Sequence, residues 1–322
     1  VVHDAAGRVV VRRPQRYSDP LPRVHPQIHL FGAATPTGEA LRELAPVELV
    51  GYSRRASGAA GWLQPADLSD PAGFAPAGNP QAPALWISFA PIWLLAPFLE
   101  QLASHHSERL QRLRGVIACS SSSAITKRFA ANRFDRQLVA RLIAAEDQLL
   151  VTCRRLAVPC RILRPTLIYG QAGPYGDRNL SRLLQLMRRL PLLPLPVQTG
   201  LRQPIHARQL AAVALALAGQ LSATGWNPEL PERIALGGDS ELSYTAMLKV
   251  LQQALPSTDP ARRCRLLPVP NRLFFAFAAP LLLRSPKAFE AVLRIGADLA
   301  GFTPSHALLG EPRQPFPVLP LA

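Results

Sequence analysis

"QIHLFGAATPTGEALRELAPVELVGYSRR", residues 27–55, decides the fold. Ile28 to Phe31 form a short apolar run that ends in Gly32. A helical pattern then begins near Thr37, with Ala40, Leu41 and Leu44 on one face, and after Pro46 a second strand-like run, "VELVGYS", follows. The spacing predicts strand, helix, strand: the opening unit of a parallel sheet.

Gly32, Thr35 and Gly38 stand three apart at the first strand-to-helix turn. A dinucleotide fold places glycines there for the tight turn, for backbone approach to a pyrophosphate and for close helix packing. The middle position is threonine, whose side chain narrows the approach, although a helix N-terminus still offers N–H groups to a phosphate. An ordinary glycine-containing turn fits the same residues. At the end of the second strand come Ser53, Arg54 and Arg55. A free ribose 2′-hydroxyl calls for an acidic residue there, whereas a 2′-phosphate suits arginine, so these residues favour NADP(H) over NAD(H). Two arginines in a solvated loop are the plainer alternative.

Outward from this unit the alternation continues. "PALWISFAP" (83–91) and "RGVIACSSSS" (114–123) read as strands, and between them "IWLLAPFLEQLASHHSERLQRL" (92–113) reads as a helical crossover interrupted by Pro97. "FDRQLVARLIAAEDQLLVTCRRLAV" (134–158) has helical spacing and "PCRILRPTLIYG" (159–170) reads as a strand. The expected fold class is therefore α/β, a doubly wound parallel sheet of Rossmann type with a smaller C-terminal substrate or lid region. The expected boundaries are a basic tail over 1–26, a nucleotide-binding domain over 27–170 to which 204–238 returns, and a lid region over 171–322. Within that region "ELSYTAMLKVLQQAL" (241–255) reads as an amphipathic helix capped by Ser240.

Composition narrows the class. The chain has 322 residues, and 36 Lys+Arg against 21 Asp+Glu give a net charge of +15. That favours anionic partners, but the arginines are dispersed and no RNA-binding aromatic motif accompanies them, so a specific nucleic-acid role is not expected. The longest apolar run, "LFFAFAAPLLL" (273–283), is too short to span a bilayer and contains a proline; with its flanking arginines it suits core packing, a membrane surface or a partner subunit. No secretory leader is visible in the first residues, and four dispersed cysteines suit a reducing compartment, so cytoplasm is the expected location and no metal site is expected.

The stretches "FGAATPTG", "SSSS", "AAEDQLL", "LRPTLIYG" and "GLRQPIHARQLA" together resemble the extended short-chain dehydrogenase/reductases, the NAD(P)-dependent epimerase/dehydratase group that acts mostly on nucleotide sugars. "SSSxxTK", "LRPTLIYG" and "GLRQPIH" resemble an atypical subgroup related to the complex I accessory subunit, and the likeness covers about residues 27–318. It implies hydride transfer between a nicotinamide and the carbinol carbon of a sugar-type alcohol or ketone, a nucleotide sugar included. A homodimer or a peripheral membrane contact stays open.

The resemblance also assigns roles. Ser122 takes the place of the group that orients the substrate oxygen, Pro165 of "LRPTLIYG" falls on the cofactor side, and Arg202 falls where relatives hold a diphosphate, with Asn179 and Arg178 beside it. Matching Glu146 to the family's helix glutamate puts the tyrosine position on Leu138 and the lysine position on Leu142. Neither side chain can ionise. Lys127 is a candidate to replace part of that pair, and Tyr169 or Tyr175 could reach in from the next loop. The other alternative is a noncatalytic NAD(P)-binding scaffold or regulator. His206 is expected to be structural.

Overall fold

The computed structural model describes residues 2–3, 9–10, 26–54, 61–130, 132–223, 229–280, 285, 290 and 292–321. Arg55 and most of 1–26 lie outside that set; within the latter, Val2–His3 pairs antiparallel with Val9–Val10.

Eight parallel strands form the central sheet: β1 Gln27–Phe31, β2 Leu49–Ser53, β3 Leu63–Pro65, β4 Ala84–Ser88, β5 Leu113–Cys119, β6 Cys160–Pro165, β7 Arg233–Gly237 and β8 Thr303–Pro304. Their spatial order is β8-β7-β6-β5-β4-β1-β2-β3. The order reverses between β1 and β4, and doubly wound sheets bind ligands at such a reversal. The long helices are α1 Pro36–Leu44, α2 Ile92–His105, α3 Arg133–Arg155, α4 Leu180–Arg189, α5 Ala207–Ala223, α6 Tyr244–Ala254 and α7 Asn271–Ala278.

Both faces of the sheet are covered, which is why β1 and β4 are buried along their whole length rather than on alternate residues. On one face Leu95, Phe98 and Leu102 of α2 and Leu142, Leu149 and Cys153 of α3 pack on Phe31, Trp86 and Val116. On the other, Ala40 and Leu41 of α1 and Leu210, Val213 and Leu217 of α5 pack on Leu30, Ile87 and Ile117. A third apolar cluster, with Tyr169, Leu184, Met187, Met247 and Leu251, unites α4 and α6.

Several local expectations need correction. Pro97 does not interrupt α2, which runs unbroken from Ile92 to His105 because Leu95, Ala96, Phe98, Leu99 and Leu102 all become buried, a gain that outweighs one missing backbone bond. "RPTLIYG" is not one strand: after Pro165 the chain leaves the sheet, and Ile168–Tyr169 pairs with Ile205–His206 in a separate parallel ladder. Leu192–Pro196 pairs in parallel with Arg265–Val269. Ser240 does not cap α6. Leu242–Ser243 first pairs with Leu201–Arg202, so the cap moves to Ser243, which accepts from the Ala246 N–H at 3.1 Å, while the Ser240 hydroxyl accepts from the Phe316 N–H.

The C-terminal segment is strapped over the smaller layer. Asp239 accepts from the Ser305 hydroxyl (2.7 Å), the His306 N–H (2.9 Å) and the Gln314 N–H (3.0 Å). The Tyr169 hydroxyl accepts from the Val318 N–H at 2.8 Å, and His206 Nε2 lies 3.1 Å from the Pro320 carbonyl oxygen.

Candidate functional site

Two cavities open at the C-terminal edge of the sheet. The first, of about 210 Å³, lies at the reversal between β1 and β4, against Gly32, Thr35, Ser53, Arg54, Asp67 and Ala90. Sequence dictates its floor. Gly32 adopts φ +76°, and a Cβ there would stand 2.6 Å from the Ala90 backbone nitrogen, so only glycine lets the β1–α1 turn approach the end of β4. Gly38 brings α1 against that turn: its Cβ would meet the Ala33 carbonyl oxygen at 2.5 Å.

Thr35 is the N-cap of α1. Its hydroxyl donates to the Gly32 carbonyl at 2.8 Å and accepts from the Gly38 N–H at 3.0 Å. The threonine therefore satisfies one of the amides that a diphosphate would otherwise take, and Pro36 at the first helical position supplies none. The cavity nevertheless persists beside the cap. Thr35→Ala is expected to cost about 1 kcal/mol of stability, the usual worth of such a cap, read as a lower denaturant midpoint at unchanged slope.

Asp67, just past β3, was missed by sequence reasoning, because a three-residue strand such as Leu63–Pro65 leaves little pattern. Hydrogen bonds from the Ser69 N–H and hydroxyl hold its carboxyl below the usual range, and the Arg54 charge adds to this. The first cavity thus has a polar end of Ser53, Arg54 and Asp67, and an apolar side that includes Leu68, Phe89 and Leu94.

The second cavity, of about 240 Å³, is lined by Ser122, Thr166, Asn179, Arg202, Tyr244 and Leu299 among others. Three residues expected from the sequence, Ser122, Asn179 and Arg202, meet here. Ser122 is held by its N–H, which donates to the Pro165 carbonyl at 2.9 Å; Pro165 itself lies in β6 and lines neither cavity. Arg178 is exposed and lines neither.

Arg202 is 7% exposed and largely committed. Its Nη1 donates to the carbonyls of Leu201 (2.7 Å) and Ala297 (2.6 Å), and its Nη2 to the carbonyl of Arg294. The guanidinium also lies 5.3 Å from the Tyr244 ring centre. This differs from an open anion fork: much of the donor set anchors residues 294–297, a contact more than 90 residues away in sequence. Tyr244, which read as an unremarkable helix residue, supplies a further hydroxyl of the cavity beside Ser122 and Thr166. Burial raises its pKa, with Arg202 opposing, so it remains a proton-bearing donor at neutral pH.

The other candidates lie elsewhere. Lys127 Nζ is 2.6 Å from Asp135 Oδ1 and lines neither cavity. Burial works against the Asp135 charge, yet hydrogen bonds from Lys127 and Asn132 and the charge of Arg294 hold its carboxyl below the ordinary range. Lys127 is thus held in an ion pair. Tyr169 is buried, its hydroxyl taken by Val318 and its pKa pushed up by desolvation, and Tyr175 lies in a two-residue strand paired with Gln171–Ala172. Neither lines the second cavity. Leu142 is 2% exposed and Leu138 packs on the same core, so this side of α3 is spent on the hydrophobic interior. His206 is fully buried, its pKa lowered by desolvation, with Nδ1 accepting from the Arg208 N–H.

Behind the serine run, Glu146 is 0% exposed and accepts from the Ser120 hydroxyl, Arg164 and Arg233. It ties the end of β5 to α3 and to the neighbouring strands.

No family model and no curated protein sequence matches the chain. Solved structures do. UDP-N-acetylglucosamine 4-epimerase from Bacillus cereus is similar at 13% identity, over 84% of this chain and 96% of that one, with a TM-score of 0.53. UDP-glucuronic acid 4-epimerase from the same organism, solved in complex with NAD, is similar at 15% identity over 75% and 86%, TM-score 0.51. RMD from Pseudomonas aeruginosa, complexed with NADPH, is similar at 11% identity over 77% and 88%, TM-score 0.52. At such identities the likeness establishes architecture, and with the strand order above it gives the conclusion: the chain has a Rossmann-type α/β fold, as these solved epimerases do.

Proposed function

We propose that this chain binds NADP(H) in the first cavity and serves hydride transfer on a sugar-type alcohol or ketone, nucleotide-linked substrates included, in the second. The observation that carries the reading is the first cavity's position at the strand-order reversal, with Arg54 at the end of β2. Gly32, Thr35 and Gly38 would form the turn beside the diphosphate, and Ser53 and Arg54 would meet the ribose phosphate. Asp67 would accept from the base. When bound, the nicotinamide supplies the hydride donor or acceptor. That related folds are solved with NAD and with NADPH supports a nicotinamide cofactor.

The chain's own part in the second cavity is proton handling and orientation. Ser122 would orient the substrate oxygen, and Tyr244, protonated at neutral pH, would donate to it. Asn179 offers an amide at the rim. Arg202 would act chiefly by fixing the 294–297 wall. The division of the chain into a nucleotide-binding part, 27–170 with 204–238, and a lid drawn from the rest follows from the same proposal. A second reading, a noncatalytic dinucleotide-binding scaffold, is favoured by one observation: Leu138 and Leu142 pack in the core where an ionisable pair would stand.

Fluorescence titration with NADPH and NADH tests the cofactor reading. Arg54→Ala is expected to weaken NADPH at least about tenfold and leave NADH nearly unchanged, since a charge-assisted hydrogen bond contributes roughly 1.5–3 kcal/mol. Absence of micromolar binding by either nucleotide would sink both readings. If NADPH binds, Tyr244→Phe separates them: loss of turnover on nucleotide sugars with binding intact supports catalysis, and a wild-type protein that binds without turnover supports the scaffold.

A further inference from the structure

The face beside the second cavity is apolar, cationic and uncovered by any described element. Phe129 is 93% exposed, Phe134 63% and Phe277 79%, and Ile125, Leu273 and Leu293 are exposed with them. α7, which carries Leu273 and Phe277, has no buried residue. Isolated exposed apolar residues are ordinary, but these belong to three adjoining elements. The short turn of helix Arg294–Gly296, with Glu290 and Leu293 before it, lies between the other two. Glu290 accepts from Asn132, and Arg294 Nη2 bonds Asp135 at 3.1 Å, which fixes the turn against the start of α3 beside Phe129 and Phe134. On its other side Gly296 neighbours the Phe275 ring of α7.

The charge around these side chains has one sign. Arg128, Arg133, Arg136 and Arg272 are exposed, and the Arg128 guanidinium lies 5.8 Å from the Phe129 ring centre. The acids on the same elements are engaged: Asp135 by Lys127, Asn132 and Arg294, Glu290 by Asn132 and Arg294, and Asp298 by the Leu201 N–H. Aromatic and leucine side chains ringed by arginines are what an anionic bilayer surface accepts, the rings entering the headgroup boundary while the guanidiniums meet lipid phosphates. A second copy of the chain would bring arginine against arginine. A nucleic acid would match the arginines but leave Ile125, Leu273 and Leu293 in water. No described helix is long and apolar enough to cross a membrane, so the contact would be a surface one.

We infer that the face carrying Ile125, Phe129, Phe134, Leu273, Phe277 and Leu293 docks on an anionic lipid surface. The inference does not depend on the cofactor reading. The test is co-sedimentation of the full chain with vesicles of phosphatidylglycerol and phosphatidylcholine, and of phosphatidylcholine alone, with folding checked by circular dichroism. Partitioning at least about tenfold higher on the anionic vesicles is expected, with a loss of about tenfold in the Phe129→Ser/Phe277→Ser variant and a further loss on Arg128→Gln/Arg272→Gln. Both aromatic positions are exposed, so the variants should fold. Three results overturn the inference: no binding to anionic vesicles; binding that the Phe129→Ser/Phe277→Ser variant retains, which reduces it to net charge; or a wild-type dimer that the same variant dissociates, which makes the face an interface between copies.

Discussion

Glu146→Gln is expected to destabilise the chain by about 3 kcal/mol or more, the cost of breaking a buried ion pair by removing one partner, and to lower the melting temperature by roughly 4–5 °C or more. Glu146 is fully buried, and Arg164 and Arg233 both depend on it, with side chains only 16% and 29% exposed. The neutral amide cannot balance two guanidiniums. Of the two acceptor oxygens only one remains, shared by the Ser120 hydroxyl and the guanidiniums, which weakens the tie that holds the end of β5, two residues before Ser122, against α3. Asp147→Asn is the control. It removes an exposed carboxylate that pairs with the same Arg233, and surface pairs contribute about 1 kcal/mol at most. Similar losses from the two variants, measured by thermal or denaturant melts, would show that Glu146 is not the keystone described.

The second large effect is a loss of stability in mild acid, centred on His29. Burial lowers its pKa from 6.5 to about 4. Its Nδ1 lies 2.9 Å from the Tyr52 hydroxyl, which itself accepts from the Ala77 N–H, and burial raises Tyr52 to about 12, so the pair is neutral across the physiological range. The unfolded chain takes up a proton near pH 6.5 while the folded chain does not until about 4. The stability from the neutral histidine is therefore complete above 6.5 and declines as pH falls through that window, by up to about 3 kcal/mol for a shift of this size. Asp135 and Asp239, whose carboxyls are held below the ordinary range, add a loss at the acid end of the window, where the unfolded carboxylates begin to take up protons. His206, also lowered by burial, contributes in the same direction. The measurement is therefore a difference: between pH 7 and 4 the wild type should lose more stability than His29→Gln, and parallel curves would refute the assignment.

How much was legible beforehand follows from how local each signal is. The β1–α1–β2 unit was readable because Gly32, the apolar face of α1 and the run into Ser53 all lie within thirty residues, and the periodicities of α2 and α3 are strong. Asp67 was not readable, because β3 has three residues and gains its identity only by pairing with Gly51–Ser53. Arg202 was placed in its cavity by resemblance, but its commitment to the carbonyls of 294–297 depends on a chain return that no periodicity announces. Lys127 looked available because it follows the serines. Its partner Asp135 is eight residues on, across the turn between the short helix Ser123–Thr126 and α3, where simple spacing rules for side-chain pairs do not apply. Tyr244 was hidden for another reason: a tyrosine at a helix start reads as packing until a cavity is seen beside it.

The C-terminal strap has a consequence for biosynthesis. The environments of Tyr169 and His206 are completed by Val318 and Pro320, and β8 supplies the last strand of the sheet only at Thr303–Pro304. During translation the sheet from β1 to β7 can assemble while the smaller layer waits for residues made more than a hundred positions after Tyr169. A nascent chain stalled before residue 300 would therefore expose that layer to chaperones and proteases, and a fusion partner placed directly after these residues would burden the step that closes the molecule.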